Sequence, residues 1–458
     1  MEEFVQESRF SVRLSTLRWL ILGLLFLSTV VNYVDRQALS VLLPTLRTEL
    51  GLTSADYGTI TTVFMLAYAL AQIPAGIWID RVGTRLGFCV SIVGWSLAAM
   101  LHALARGPWS LVIFRGLLGV TEAGNWPAGT KAVASWIPQR QRALAMAIFD
   151  SGSAVGAIAA PPLVALLALH FGWRAAFVTT GLLGFAWLAA WLLVYHAPER
   201  HPWLSAADRA RVSEELGSVK AKPPVFGAPF RRIIGTRQLW GLLVTRMVAT
   251  PVWWFYVFWL PDYLSQGRGF SLQEIGFYGW IPYLTVDMGK MLGGAVSDAL
   301  LARGQSVTLA RKSVMAGGAV AMLSGLQVVG AATPAAAIAW VCVATFGFGM
   351  WSANILALHA DVFPAETMGS AVGTTLMAAS LGGAGFTFAV GQVVDQVGYA
   401  PVFWAVGSLA PLACLALFFG LGPVRRIPEV EAAEDLAERP LRTASPTSHA
   451  RNAGESHP

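Results

Sequence analysis

The chain has 458 residues, of which 55% are hydrophobic and 13% charged, about half the charged share of ~25% usual for a soluble domain. That balance excludes a water-soluble globular domain and places the chain in a lipid bilayer. The net charge of +6 reports loop topology and gives no ground for a nucleic-acid partner.

Residues 1–17 read as a polar N-terminal tail. Beyond them, apolar runs of roughly 20 residues, the length that crosses a ~30 Å hydrocarbon core, recur at 18–46, 54–79, 85–105, 109–132, 142–169 and 173–195. They resume at 237–264, 272–300, 311–330, 334–358, 367–391 and 400–422. The first run is too long for a cleavable signal, carries Asp35 and Arg36, and leads into a polar hairpin, so it stays as a helix. Between the two sets lies a linker, 196–236, rich in Pro, Arg and Lys. Within it Ser205 and Asp208 have the spacing of an N-cap with an acidic N3 residue, opening a surface helix to about Gly217, before Pro223 and Pro224. Residues 423–458 read as a polar, disordered tail.

Of the basic residues, only Arg47, Arg106, Arg174 and Arg268 fall on the side opposite the termini, while Arg36, Arg115, Arg246 and Lys290 fall inside spans. The others crowd one face, so the positive-inside rule puts both termini in the cytoplasm, beside anionic lipid. The two sets of spans also echo each other. The stretch 76–85 after the second span answers 294–303 after the eighth, Trp136 and Pro138 answer Val362 and Pro364, and Gly156 answers Gly382. Matches in register argue for duplication. The expected fold class is an all-α integral membrane protein, twelve transmembrane helices in two pseudo-symmetric six-helix bundles, 18–195 and 237–422.

Four charges lie deep in these spans, where an unpaired one costs at least ~2.5–3.5 kcal/mol. Arg115 and Glu122 are two helical turns apart and share one face, with a rise of ~10.5 Å. Asp35 and Arg36 point about 100° apart, so Asn32, Tyr33, Asp35 and Arg36 need a polar or wet interior. These residues either form structural ion pairs between the first and fourth spans or serve transport, the acids holding a proton and the planar guanidinium forks a carboxylate.

Further candidates follow. Trp253 and Tyr256 lie beyond Pro251, which should kink the seventh span near a pocket, although tryptophan and tyrosine also populate membrane interfaces. Trp351, Ser352 and Asn354 offer polar contacts to a substrate or between helices. Arg246 serves either substrate attraction or an ion pair with another helix. Asp287 and Lys290, three apart, are expected to pair. Cys89, Cys342 and Cys414 read as buried free thiols without metal-like spacing. The seven histidines form no set with carboxylates or a nucleophile, so neither a metal, a cofactor nor an enzyme is expected.

The stretch carrying Gly76, Asp80, Arg81, Gly83 and Arg85 resembles the signature loop of the major facilitator superfamily, which implies that fold and a gating role for these residues. Asn32 to Arg36, Arg115 to Pro127, Lys131, Gly152 to Gly156, Ala160 to Pro162 and His201 to Ser205 are similar to the anion:cation symporter family within it. Arg246, Trp280 to Pro282 and Asp287 to Gly293 resemble its hexuronate branch. The resemblance implies that Asp35 and Glu122 couple protons, that Arg36 and Arg115 engage a substrate carboxylate, and that Tyr68 lines the pocket; Tyr33, beside Asp35 and Arg36, is a further substrate-binding candidate. Two positions depart. Asp35 is an acid that some hexuronate carriers lack, which implies a coupling scheme closer to that of the aldonate carriers, and Ser380 stands where the aldonate carriers have an asparagine. The expectation is a monomeric carrier that brings a hexuronate such as galacturonate or glucuronate into the cell with a proton. Sodium coupling, another organic anion (an aldonate, dicarboxylate or aromatic acid) and a transporter-like sensor remain the alternatives.

Overall fold

The computed structural model describes residues 13–138, 141–216 and 233–427. The rest of the expected tails and linker lies outside the described residues. The N-terminal half contains α1 (Leu14–Leu50), α2 (Ser54–Val82), α3 (Thr84–Leu101), α4 (Pro108–Glu122), α5 (Asn125–Trp136), α6 (Arg142–Phe171) and α7 (Trp173–Val194). A surface helix, α8 (Ala206–Leu216), follows. The C-terminal half contains α9 (Arg237–Asp262), α10 (Leu272–Tyr278), α11 (Ile281–Ala302), α12 (Val307–Met322), α13 (Pro334–Val362), α14 (Ala365–Val397) and α15 (Ala400–Leu415).

Among the described residues, 9 helices are each long and apolar enough to cross a membrane unaided. Three more spans are interrupted for local reasons. Glu122 ends α4 because Pro127 has no N–H for the Ala123 carbonyl, and Gly124 passes so close to Ser91 that any Cβ would collide. Pro282 opens α11 after Gly279, which lies against Pro161. The third, α12, tightens into a 3₁₀ turn at Leu323–Gln327, where Gly325 faces the Tyr256 hydroxyl. Capping boxes at Thr53 with Asp56 and Ser271 with Glu274 satisfy the first N–H groups of α2 and α10. Ser205 accepts from the Asp208 N–H at 3.1 Å and starts α8 as its spacing predicts. Arg18 pins that helix through Glu215 at 2.8 Å, and this bond holds the Glu215 carboxyl below its ordinary range.

Within the halves, α1 packs on α6 and α7, α3 on α7, and α13 on α11 and α12. Between them, α1 meets α9, α2 meets α14, and α6 meets α10 and α11. Among the described residues, every hydrogen bond and ion pair across the halves lies at the end of the bundle that carries Arg47 and Asp262. There α2 and α14 touch backbone to backbone: a Cβ on Gly58 would sit 3.1 Å from the Gly391 Cα. The end carrying Asp80 and Asp298 has no such bond between two described residues, so among the described residues the halves are joined at the other end.

Candidate functional site

The centre of the N-terminal half is a crossed pair. Arg36 on α1 donates to Glu122 Oε2 on α4 through Nη2 at 2.8 Å and Nε at 3.2 Å, and to Asn32 Oδ1 at 3.4 Å. Both side chains are almost wholly buried. The guanidinium lies over the rings of Tyr68 at 4.8 Å, Tyr33 at 5.0 Å and Phe64 at 5.2 Å, so three π-faces share its charge. Glu122 Oε1 and Asn32 Nδ2 are buried without a protein partner. Arg115 takes a different position. It donates to the backbone carbonyl of Arg36 at 2.6 Å, reaches that of Asp35 at 3.5 Å, and lies over Phe64 at 5.3 Å. Asp35 turns away from Arg36 toward the Thr180 hydroxyl on α7, and at least one of its oxygens is buried without a hydrogen-bond partner.

The second half contributes aromatic walls. Trp253 stacks on Phe348 at 5.7 Å and meets Tyr283 edge-on at 6.2 Å. Trp254 stacks on Phe258, which meets Phe64 of the first half at 6.4 Å, so aromatic rings close over the Arg36 pair on the side of the closed end. Ser380 lies one turn before Gly383, which faces Trp254 and Met65. Arg246 is half-buried, its Nε and Nη1 without a partner. Other candidates are placed inside the C-terminal bundle. Tyr256 is buried with its hydroxyl at Gly325, and Trp351 is buried on α13 where its backbone N–H approaches Gly318 of α12. Asn354 braces α11 through the Gly293 carbonyl at 3.2 Å, and Ser352 donates to its own helix at Gly349. Asp287 and Lys290 pair at 3.0 Å.

The signature loop is held within its own half. Lys131 of α5 bonds Asp80 at 2.9 Å and the Ile79 carbonyl at 3.1 Å, while Arg85 donates to the Leu192 carbonyl at the end of α7. Arg81 is exposed and Gly76 has ordinary contacts with Pro127. Gly83 sits at φ 86°, ψ 155°, a region essentially closed to side chains. Gly83→Ala is expected to cost ~1–3 kcal/mol, read as a lower melting temperature of the purified protein, whereas Gly76→Ala should leave it unchanged.

Sequence reasoning missed the closed end. Asp262, fully buried, accepts from Arg47 Nε and Nη2 at 2.9 Å each, from Gln266 at 3.0 Å, and from the Tyr399 hydroxyl at 2.5 Å. Asp395 accepts from the N–H groups of Ser54 and Ala55 at 2.7 and 2.6 Å, capping α2 from the other half. Tyr57 donates to the Phe258 carbonyl at 2.7 Å and Ser40 to the same carbonyl at 3.0 Å. The one signal was that Arg47 and Asp262 are opposite charges at the same predicted depth.

Two bundles that grip each other at one end, around buried charges neither could keep in lipid, define a membrane carrier rather than an enzyme or a receptor with a fixed pocket. The Major Facilitator Superfamily model matches residues 25–387, and the chain belongs to that superfamily. It is 32% identical over 434 residues to the hexuronate transporter of Escherichia coli (strain K12), covering 93% of this chain and 99% of that one. It is 30% identical over 420 residues to the D-galactonate transporter of Escherichia coli O6:H1, covering 90% and 97%. The crystal structure of a D-xylose-proton symporter shares the fold with a TM-score of 0.71 at 14% identity, over 89% of this chain and 98% of that one.

Proposed function

We propose that the chain imports a sugar acid, a hexuronate such as galacturonate or glucuronate, together with a proton, by alternating access in a bacterial inner membrane. The observation that carries this reading is the buried Arg36–Glu122 pair at 2.8 Å beneath the aromatic closure. An ionised Glu122 occupies the guanidinium fork that a substrate carboxylate would need. Protonating Glu122 frees that fork, so proton and anion bind together and leave together. In the empty carrier the internal pair replaces the cargo, which lets an unloaded molecule cross between states without an exposed buried charge. Arg115, fixed to the carbonyls of α1, holds the helix that carries Arg36 and adds positive potential. Asp35 is the second coupling acid. Trp253, Tyr68 and Tyr33 present rings to the sugar face, and Ser380 and Arg246 line the opposite wall.

The excess of basic residues at the Asp80 end supports placing that end in the cytoplasm, with 196–236 as a cytoplasmic linker joining the two six-helix domains of a monomer. The closed end is then the outer one, and the Asp80 loop gates the inner side. The D-galactonate and galactarate/D-glucarate relatives favour one second reading, an aldonate or aldarate as cargo.

Uptake of labelled galacturonate and glucuronate into proteoliposomes tests this reading, with and without an inward proton gradient. Wild type should concentrate one of them only with the gradient. Glu122→Gln should retain counterflow and lose accumulation by ~100-fold or more, as expected when a proton-transferring group is removed. Uptake that ignores the proton gradient and follows sodium, or uptake of neither acid, would overturn it.

A further inference from the structure

The interior of the N-terminal half holds a second polar track, separate from the seam between the halves. His102 is fully buried where α3 passes into a 3₁₀ turn. Its Nδ1 bonds the Ala98 carbonyl at 2.7 Å, so Nδ1 carries the proton of the neutral ring. The other nitrogen, Nε2, is buried and has no partner in the protein. The ring stacks on Phe177 of α7 at 5.1 Å. One turn further along α7, the Thr180 hydroxyl faces the buried carboxyl of Asp35, of which at least one oxygen has no partner. One more turn along, Gly184 faces Ser96 and Trp95 of α3, whose hydroxyl and indole N–H are likewise buried and unpartnered.

Positions 177, 180 and 184 lie on one face of α7. Buried polar atoms are nearly always satisfied, by protein or by ordered water, so four such groups facing one side of α7 form a polar seam that ordered water would satisfy. The seam begins about one helical turn from the start of α7, where Arg174 and Glu49 form an exposed pair, beside the closed end. The charged groups facing it are Arg115 from α4 and, beyond that, Glu122; α7 contributes only Phe177 and Thr180, and α1 only Asp35.

We propose that this seam is a proton route and that His102 relays protons along it between the closed end and Asp35. Nε2 takes a proton from water on the side of the closed end, forming one N–H bond, and gives it back to water on the side of Asp35, whose oxygen receives it, while the Nδ1–H stays on the Ala98 carbonyl. The permanently charged Arg115 stands between Asp35 and Glu122 and opposes direct passage of a proton to the substrate cavity. Asp35 thus exchanges protons by a path the cargo cannot enter, even while Arg47 and Asp262 hold the halves together. This inference rests on the symport reading for its purpose, though the polar seam stands without it.

Two measurements test it. Hydroxyl-radical footprinting of the full chain in proteoliposomes should oxidise the buried Trp95 and Phe177, because bound water generates the radical beside them; protection equal to that of the buried Trp136 overturns the seam whatever the cargo. His102→Phe and His102→Asn, the latter keeping a donor for the Ala98 carbonyl, should leave galacturonate counterflow within about twofold of wild type. Gradient-driven uptake at external pH 7.5 should fall at least ~10-fold in both, with recovery toward pH 5.5. Driven uptake equal to wild type at every pH, equal loss of counterflow and driven uptake, or restoration of driven uptake by Asn alone would each overturn the relay. Wild-type uptake that ignores the proton gradient would instead overturn the symport reading, and the relay's purpose with it, while footprinting still decides the seam.

Discussion

Arg36→Gln is expected to abolish uptake and to lower the stability of the purified protein by ~3–5 kcal/mol, because it leaves Glu122 buried without its partner. The loss comes from the stranded acid more than from the absent cation. Adding Glu122→Gln should therefore restore most of the stability and none of the transport. Arg36→Lys should behave differently again. It keeps the charge, yet it loses both the fork that reaches Glu122 at 2.8 and 3.2 Å and the flat face that sits over Tyr68 and Tyr33. Thermal denaturation and proteoliposome uptake on wild type, Arg36→Gln, Glu122→Gln and the double variant form a double-mutant cycle. A pair whose single and double variants are equally stable would show that the Arg36–Glu122 contact is not the buried anchor of the site.

Asp262→Asn is the second large effect. It removes the negative charge and one of the two oxygens that bind Arg47 twice at 2.9 Å and Tyr399 at 2.5 Å, and sets an amide NH2 against those donors; losing one charge of a buried charged pair costs ~2–3 kcal/mol or more. Because that pair exists only when the halves touch, the cost falls on the closed form, and the ratio of open to closed molecules should rise about 30- to 150-fold. A cysteine at Thr62, which bonds the Ala384 carbonyl across the seam at 3.2 Å, should then react faster with a membrane-impermeant maleimide. An unchanged rate would mean that Asp395, Tyr57 and Ser40 suffice to hold the end shut. Asp395→Asn should have the smaller effect, since its partners are two neutral backbone N–H groups and no cation loses its counter-charge.

Much of the fold was legible because lipid leaves few options: apolar runs of the right length must be helices. The three interrupted spans were read as continuous, since hydropathy averages over the very residues, Gly124 with Pro127 and Gly279 with Pro282, that break them. The buried charges were legible for the same reason, as costs that need an explanation. Their pairing was not. Adjacent residues on a helix diverge by about 100°, so Arg36 joins α4 while Asp35 looks into the bundle toward α7, and only the packing decides which acid meets which base. In the second half, α9 and α13 are apolar all round, so nothing in their periodicity says which face is inward. Tyr256 and Trp351 thus looked available to a ligand and are enclosed by their own bundle, whereas Trp253, two residues from Pro251, lies against Phe348 and Tyr283. Arg47, Asp262 and Asp395 sit at span ends, where charge is ordinary, and their role depends on contacts from more than two hundred positions away along the chain.

The closed end is also lopsided in its chemistry. The first half offers donors, the Arg47 guanidinium and the free N–H groups at the start of α2, and the second offers the acids Asp262 and Asp395. The two halves are complementary rather than equivalent here, like opposite poles of a clasp. Like brought to like would set carboxylate against carboxylate or cation against cation, so each bundle carries, in its own surface, the instruction to assemble with the other and not with itself.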